Sequence, residues 1–343
     1  MALAIVIGIM PTIISVSEKY KLFDRVDLHR KDHKGLISRL GGVAIFVSFT
    51  ITVLFFAPWI HYESANFLII GCFIIGAMGL KDDVSGASLM AKLFLQIGVA
   101  VLLVFFGHYS LTSLYGVFGI GDINYIWGSL FSVLLIIFLS NIFNLIDGID
   151  GLATSIGLLV SGCFGILFAL MHQSPYALIS FALFGALLAF LKFNWCPAKI
   201  FMGDTGSLVI GLITSVLAIR FVELNKVNAL AASMYYSAPA IAVSILIVPI
   251  FDSLRMFTVR ILKRKSPFHG DRNHTHHRLE QLGLKPNKIV LILVVFNALF
   301  VSLVFLLQNL GNFVLICLMI VACALFNFGV TIALKRKDNV QGL

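Results

Sequence analysis

Apolar residues run in long, nearly continuous stretches along the chain, and the polar residues between them gather in short clusters. A half-buried strand would alternate apolar and polar positions, and an outer-membrane barrel would repeat short alternating segments. Continuous apolar stretches instead predict helices that satisfy their own backbone hydrogen bonds inside a bilayer. Eleven are expected, approximately Ala2 to Val16, Leu40 to Ile60, Phe67 to Leu80, Leu93 to Phe106, Ile126 to Phe143, Ser155 to Met171, Tyr176 to Leu191, Ser207 to Ile219, Ser233 to Phe251, Ile289 to Leu307 and Phe313 to Leu334. The fold class is therefore an all-α integral membrane protein, a polytopic bundle of about 11 transmembrane helices forming one domain over residues 1–343. The first stretch lacks a basic leading region and a small-residue cleavage site, so it reads as a shortened first helix rather than a signal peptide.

Composition agrees with the pattern. Of 343 residues, 59% are hydrophobic and 12% charged, which excludes a water-soluble globule. The net charge of +9 raises the question of nucleic acid, but the basic residues form no single patch and no nucleic-acid partner is expected. They report topology instead. Alternating the loops from the first helix assigns one side the segments 18–39, 81–92, 144–154, 192–206 and 255–288 and the tail from Lys335, and that side holds 23 of the 25 Lys and Arg residues. Only Arg220 and Lys226 fall on the other. The positive-inside rule then places the basic side in the cytoplasm, the N-terminus outside and the C-terminus inside, in the inner (plasma) membrane. Thirteen of the sixteen acids share that side, all but Glu63, Asp122 and Glu223. Carboxylates held at helix ends near a membrane call for a partner, and a divalent cation suits them. The five cysteines form no CxxC pair, so neither a disulfide framework nor a zinc site is expected of them.

Four constellations on the basic side could carry chemistry. Asp82 and Asp83 close the third helix beside Lys81, with Lys92 opening the fourth. Adjacent carboxylates do not share a helix face, so one can meet a substrate while the other meets a metal or a basic partner; the plain alternative is a solvated helix end. In Asn141-Ile-Phe-Asn144-Leu-Ile-Asp147-Gly148-Ile-Asp150-Gly151, oxygen-bearing side chains recur every third residue along one stripe, a donor set suited to Mg²⁺. Between Asn194 and Ser207, Pro197 ends a helix, and Gly203, Asp204, Thr205 and Ser207 make an anion-binding turn at a helix start, with Asp204 either a ligand or an ordinary N-cap. The long loop carries Arg255, Arg260, Lys263, Arg264, Lys265, His269, Asp271, Arg272, His274, His276, His277, Arg278 and Glu280. A lipid-attracted polybasic segment, a zinc site and a diphosphate clamp compete there, and guanidinium forks among histidines suit phosphate best.

These segments, in order, resemble the polyprenyl-phosphate N-acetylhexosamine-1-phosphate transferase family. The resemblance runs over the Arg30-Lys31-Asp32-His33-Lys34-Gly35 loop with Gly41-Gly42, the Asp82-Asp83 pair with Lys92, the Asn141 to Ala153 motif, Pro197 to Ser207, and the histidine loop from Asp271. It implies transfer of an N-acetylhexosamine 1-phosphate, GlcNAc-1-phosphate foremost, from a UDP-sugar to undecaprenyl or another polyprenyl phosphate at a membrane-lipid face. UMP is released, and a lipid-linked cell-envelope glycan is begun. It further implies a Mg²⁺ cofactor, with Mn²⁺ able to replace it, and allows a homodimer. By the same resemblance Asp204 and Asn144 are metal residues, and Asp82, Asp83, Asp147 and Asp150 are catalytic. The first two of those engage the lipid phosphate; the other two organise the nucleotide and metal region. Lys92, Asn141, Arg272, His274, His276 and His277 bind substrate.

Three rivals stand beside this reading. The muramoyl-pentapeptide branch of the same superfamily carries a TPTMGG-type loop where this chain reads Ile37-Ser38-Arg39-Leu40-Gly41-Gly42. A transporter would place its acids near the midplane or repeat one half in the other. A CDP-alcohol phosphotransferase needs an arginine that the stretch Asp147 to Thr154 lacks.

Overall fold

The computed structural model describes all residues except 23–36, 60–64, 118, 228–234, 265–272 and 342–343. The expected loop at Arg30 to Gly35, together with Glu63, Lys265, His269, Asp271 and Arg272, therefore lies outside the described residues. Each of the eleven expected segments overlaps a helix. Among the described residues eight helices are long and apolar enough to cross a membrane, or nine if one sharply bent pair counts as a single span. The chain divides into two compact units, Met1–Ser113 with Asp122–Ser233, and Leu114–Gly121 with Met234–Leu343.

The first unit contains α1 (Ala2–Lys19), α2 (Gly41–Phe56), α3 (Ala65–Ser85), α4 (Leu89–Val101, carried on by a wider turn to Phe106), α5 (Tyr125–Ile146), α6 (Leu152–Leu170), α7 (Ser174–Asn194) and α8 (Gly203–Val227). Helix α8 is its core: it packs against α2, α3, α5, α6 and α7, and 89% of its apolar window is buried, against 22% for α1. Large apolar side chains on the outer helices, such as Phe94 and Ile126, remain exposed. In water such faces would aggregate; in lipid they are the solvent contact.

The two ends of α8 carry different chemistry. Asp204 stands at its start, and near its far end Glu223 accepts from the Thr112 amide (3.0 Å) and hydroxyl (2.6 Å). Lys226 there pairs with Asp122 at 2.9 Å. At 1.5 Å per residue these clusters are roughly 30 Å apart, about one hydrocarbon thickness. The stretch between the fourth and fifth expected helices holds a two-stranded hairpin, β1 (Ser113–Val117) with β2 (Ile120–Asp122).

The second unit contains α9 (Ala238–Ile245), α10 (Ile247–Leu262), α11 (Thr275–Gln281), α12 (Pro286–Leu306) and α13 (Asn312–Gln341). The segment expected as one helix from Ser233 to Phe251 is broken, with α9 and α10 meeting at 79°. Pro249 explains the place of the break, since it has no N–H to give to the carbonyl four residues back, Ile245, and its ring crowds that carbonyl. Buried Asn297 on α12 replaces the lost bonds. Its amide donates to the Ser244 (3.2 Å) and Ile245 (3.1 Å) carbonyls, and its oxygen accepts from Val248 N at 3.4 Å. The expected loop 255–288 is also partly helical, because α10 runs on to Leu262 and α11 forms beyond the histidines' start.

Candidate active site

The first unit brings four sequence-distant segments together at the head of α8. Residues 38–42 run alongside 201–202: Phe201 N donates to Ser38 O (2.8 Å), Gly41 N to Phe201 O (3.0 Å) and Gly42 N to Met202 O (2.8 Å). A Cβ on Gly42 would lie 2.1 Å from Gly206 N, so only glycine lets α2 approach this closely. Gly203 opens α8 at φ +70°, and a Cβ there would meet Arg39 O at 2.2 Å.

Asp83 reaches this turn from the end of α3. Its Oδ1 accepts from Asp204 N (2.8 Å), and its Oδ2 from Thr205 N (2.9 Å) and Thr205 Oγ1 (2.6 Å). These are the second and third residues of α8, whose amides an N-cap side chain ordinarily satisfies. The anion expected at this turn is thus supplied from within the chain. Asp83, expected to face the lipid phosphate, spends both oxygens on α8.

Its neighbour Asp82 points elsewhere. Asp82 Oδ1 accepts from Ala87 N at 2.7 Å, and Oδ2 meets Lys92 Nζ at 2.6 Å. The same ammonium lies 2.6 Å from Asp204 Oδ2, so Lys92 bridges two carboxylates. Asn144 on α5 donates to Asp204 Oδ1 (2.8 Å) and to Ser207 Oγ (3.1 Å), and Ser207 Oγ donates in turn to Gly203 O (2.9 Å). Asp204 therefore has each oxygen held by a different helix. Asp82, Lys92 and Asp204 are all partly exposed, about a fifth of each side chain, which leaves the cluster open to a ligand.

The remaining expected residues of this unit make contacts of their own. Asn141 pairs reciprocally with Gln96 on α4, at 2.8 and 3.2 Å. Asp147 closes α5, and Asp150 in the following turn accepts from Ala198 N at 2.9 Å. Among the described residues no group of three or more His, Cys, Asp or Glu is placed to hold a metal. Asn194, at the end of α7, ties the region together. Its Oδ1 accepts from Gly151 N (3.1 Å) and Thr154 Oγ1 (2.7 Å), while its Nδ2 donates to Ile200 O (3.1 Å).

In the second unit His274, His276 and His277 form one ring cluster. The His274 and His276 rings are nearly parallel with centroids 5.6 Å apart, and His276 and His277 lie 4.2 Å apart. Burial, helped by the charge of His277, pushes the His276 imidazole down to about 3, so it stays neutral at physiological pH. Arg278 anchors α11 to α13 through Asn327 at 3.0 Å and through Thr331. Asp252, buried on α10, escaped the sequence reading. The signal was present, since an acid directly after the apolar run Ile247 to Phe251 is costly unless it has work to do.

A multi-pass helical bundle with a carboxylate–lysine bridge at the head of its most buried helix has the form of a membrane protein with a site for a charged ligand. Comparison with known proteins makes the class specific. The family model described as Glycosyl transferase family 4 matches residues 65–222, the stretch from α3 through most of α8. A Bacillus subtilis (strain 168) protein named "Probable undecaprenyl-phosphate N-acetylglucosaminyl 1-phosphate transferase" is 34% identical over 306 residues, covering 87% of this chain and 81% of its own. The Escherichia coli (strain K12) undecaprenyl-phosphate alpha-N-acetylglucosaminyl 1-phosphate transferase is 27% identical over 84% of this chain and 77% of its own. The Mycobacterium tuberculosis (strain H37Rv) decaprenyl-phosphate N-acetylglucosaminephosphotransferase is 32% identical over 74% and 68%. The chain belongs to this family, the polyprenyl-phosphate N-acetylhexosamine-1-phosphate transferases.

Proposed function

We propose that the protein transfers N-acetylglucosamine 1-phosphate from UDP-N-acetylglucosamine to undecaprenyl or another polyprenyl phosphate, beginning a lipid-linked envelope glycan. The observation that carries this reading is the convergence of Asp82 and Asp204 on the single Lys92 ammonium, in a chain aligned over most of its length with relatives so named. An oxygen of the lipid phosphate attacks the β-phosphorus of the sugar nucleotide. The bond from that phosphorus to the oxygen bridging it to the α-phosphorus breaks, and UMP leaves with that oxygen. A phosphate monoester is largely dianionic at neutral pH, so the nucleophile needs no obligatory base.

Lys92 supplies positive charge where phosphate oxygens gather, and its hold on two carboxylates keeps it placed before substrate arrives. Asn144 orients Asp204, and Asp83 fixes the turn that carries it. The donors fit a Mg²⁺ or Mn²⁺ cofactor, since two hard carboxylates already converge on one positive charge. Magnesium takes one or two such ligands and completes its shell with water and substrate phosphate. Asp204 and Asp82 would hold it, with Asn144 steering the first. When bound, the ion neutralises charge on the diphosphate. In the same reading His274, His276 and His277 contact the sugar-nucleotide diphosphate.

The division of basic residues and the distinct clusters at the two ends of α8 support an active site on the cytoplasmic face of the inner membrane. Detergent-purified protein given undecaprenyl phosphate, Mg²⁺ and a panel of UDP-N-acetylhexosamines tests the proposal. UMP release is expected with UDP-N-acetylglucosamine. Release with none of the panel, under conditions in which the protein stays monodisperse, overturns it.

A further inference from the structure

Asp252 makes more bonds than an ordinary helix anchor requires. It is 4% exposed, and its Oδ1 accepts from Thr275 N (2.7 Å) and Thr275 Oγ1 (2.6 Å) at the start of α11. Its Oδ2 stands 2.7 Å from His274 Nδ1. Arg255, one turn along α10, lies 3.6 Å from Asp252 Oδ1 and donates to the Asn273 carbonyl. Residues 273–275 are thus held from α10 at three consecutive positions.

The bond to His274 has a chemical consequence that the others lack. A carboxylate can only accept, so His274 Nδ1 must carry the proton, and Nε2 is the nitrogen left for a ligand. The His276 ring stacks on that of His274 and follows its orientation, and His276 Nε2 is buried with no partner among the described residues. We propose that Asp252 is a positioning residue of the transfer reaction: it sets the His274 tautomer, and with it the ring stack that meets the sugar-nucleotide diphosphate. This deepens the function proposed above and rests on it.

Asp252→Asn separates anchoring from tautomer control. The amide oxygen can keep both Thr275 bonds, which leaves the amide nitrogen facing His274 Nδ1. An N–H there forces Nδ1 to accept, and the proton moves to Nε2. In protein labelled with ¹⁵N-histidine, with the His274 signals assigned by their loss in His274→Gln, the wild type is expected to show a protonated Nδ1 and Asp252→Asn a protonated Nε2. In the UMP assay kcat/KM for UDP-N-acetylglucosamine should fall roughly 10²-fold, with KM for the polyprenyl phosphate unchanged. In a His274→Gln background the same substitution should add no further loss.

An unchanged tautomer, wild-type kinetics despite a flipped tautomer, or an undiminished loss in the His274→Gln background each overturns the proposal. So does an Asp252→Asn protein that fails to fold, because the isosteric amide was to preserve the anchor. A wild-type protein that releases no UMP counts instead against the proposed function, and the tautomer measurement then decides this inference.

Discussion

Replacing Asp83 and replacing Asp82 should do different things, although the two residues are adjacent. Asp83→Ala removes the acceptor of two first-turn amides of α8 and of the Thr205 hydroxyl, with Thr205 1% exposed. Losing a side-chain cap costs about 0.5–2 kcal/mol, and each buried donor left without a partner about 1–3 kcal/mol. The hydroxyl can rotate toward another acceptor, so the sum expected is about 2–4 kcal/mol. Activity should fall as well, because Asp204 is the residue whose amide is released; misplacement of about 1 Å is enough for a loss of roughly 10²-fold. Asp83→Asn keeps one acceptor oxygen and should fall between wild type and alanine on both scales. Asp82→Ala loses a partly exposed ion pair with Lys92 and one loop amide bond, worth about 1 kcal/mol or less, yet should lose comparable activity. Thermal denaturation in detergent, read by the fraction remaining monodisperse, gives stability; UMP release gives turnover. Wild-type thermal stability in Asp83→Ala, or the larger stability loss in Asp82→Ala, would refute the assignment of Asp83 as the cap of α8.

Three further outcomes are expected. Asn297→Leu should destabilise the protein by about 2–4 kcal/mol in the same denaturation assay, because the Val248 amide and the Ser244 and Ile245 carbonyls lose their partner inside an apolar setting; a change under about 0.5 kcal/mol would show that the bend at Pro249 needs no such support. Gly42→Ala should lower both stability, by about 1–3 kcal/mol, and UMP release, since its methyl can fit only if α2 withdraws from the head of α8; unchanged activity would mean that this contact does not position Asp204. His276, whose folded value is about 3 against an unfolded value near 6.5, takes up its proton only on unfolding over that range, so stability is fully present above about pH 6.5 and is lost on acidification at about 1 kcal/mol per unit. A denaturation series from pH 7.5 to 5 should show that slope diminished in His276→Gln, and equal slopes in the two proteins would argue against a neutral buried imidazole.

Much of this molecule could be read from its sequence because a bilayer is an exacting solvent. A backbone in hydrocarbon must be helical or closed into a barrel, so continuous apolar stretches were enough to mark each helix from α1 to α13 that lies in them. The polar motifs were conspicuous for the same reason, since Asp82, Asn144, Asp204 and His274 stand out against an apolar background. Even the break between α9 and α10 had its cause in plain sight at Pro249. The roles within each motif depended on partners carried by other helices. Asp82 and Asp83 have the same side chain at successive positions, but a helix turns by about 100° between them. One carboxylate therefore meets Lys92, and the other meets the head of α8. Asn141 and Asn144 share a stripe on α5, yet one faces Gln96 and the other Asp204. Asp252 and His274 are 22 positions apart and come within hydrogen-bond distance only because the head of α11 is seated beside α10. Local pattern is set by the solvent each residue must face, whereas pairing is set by which helices pack together, and only the tertiary structure decides that.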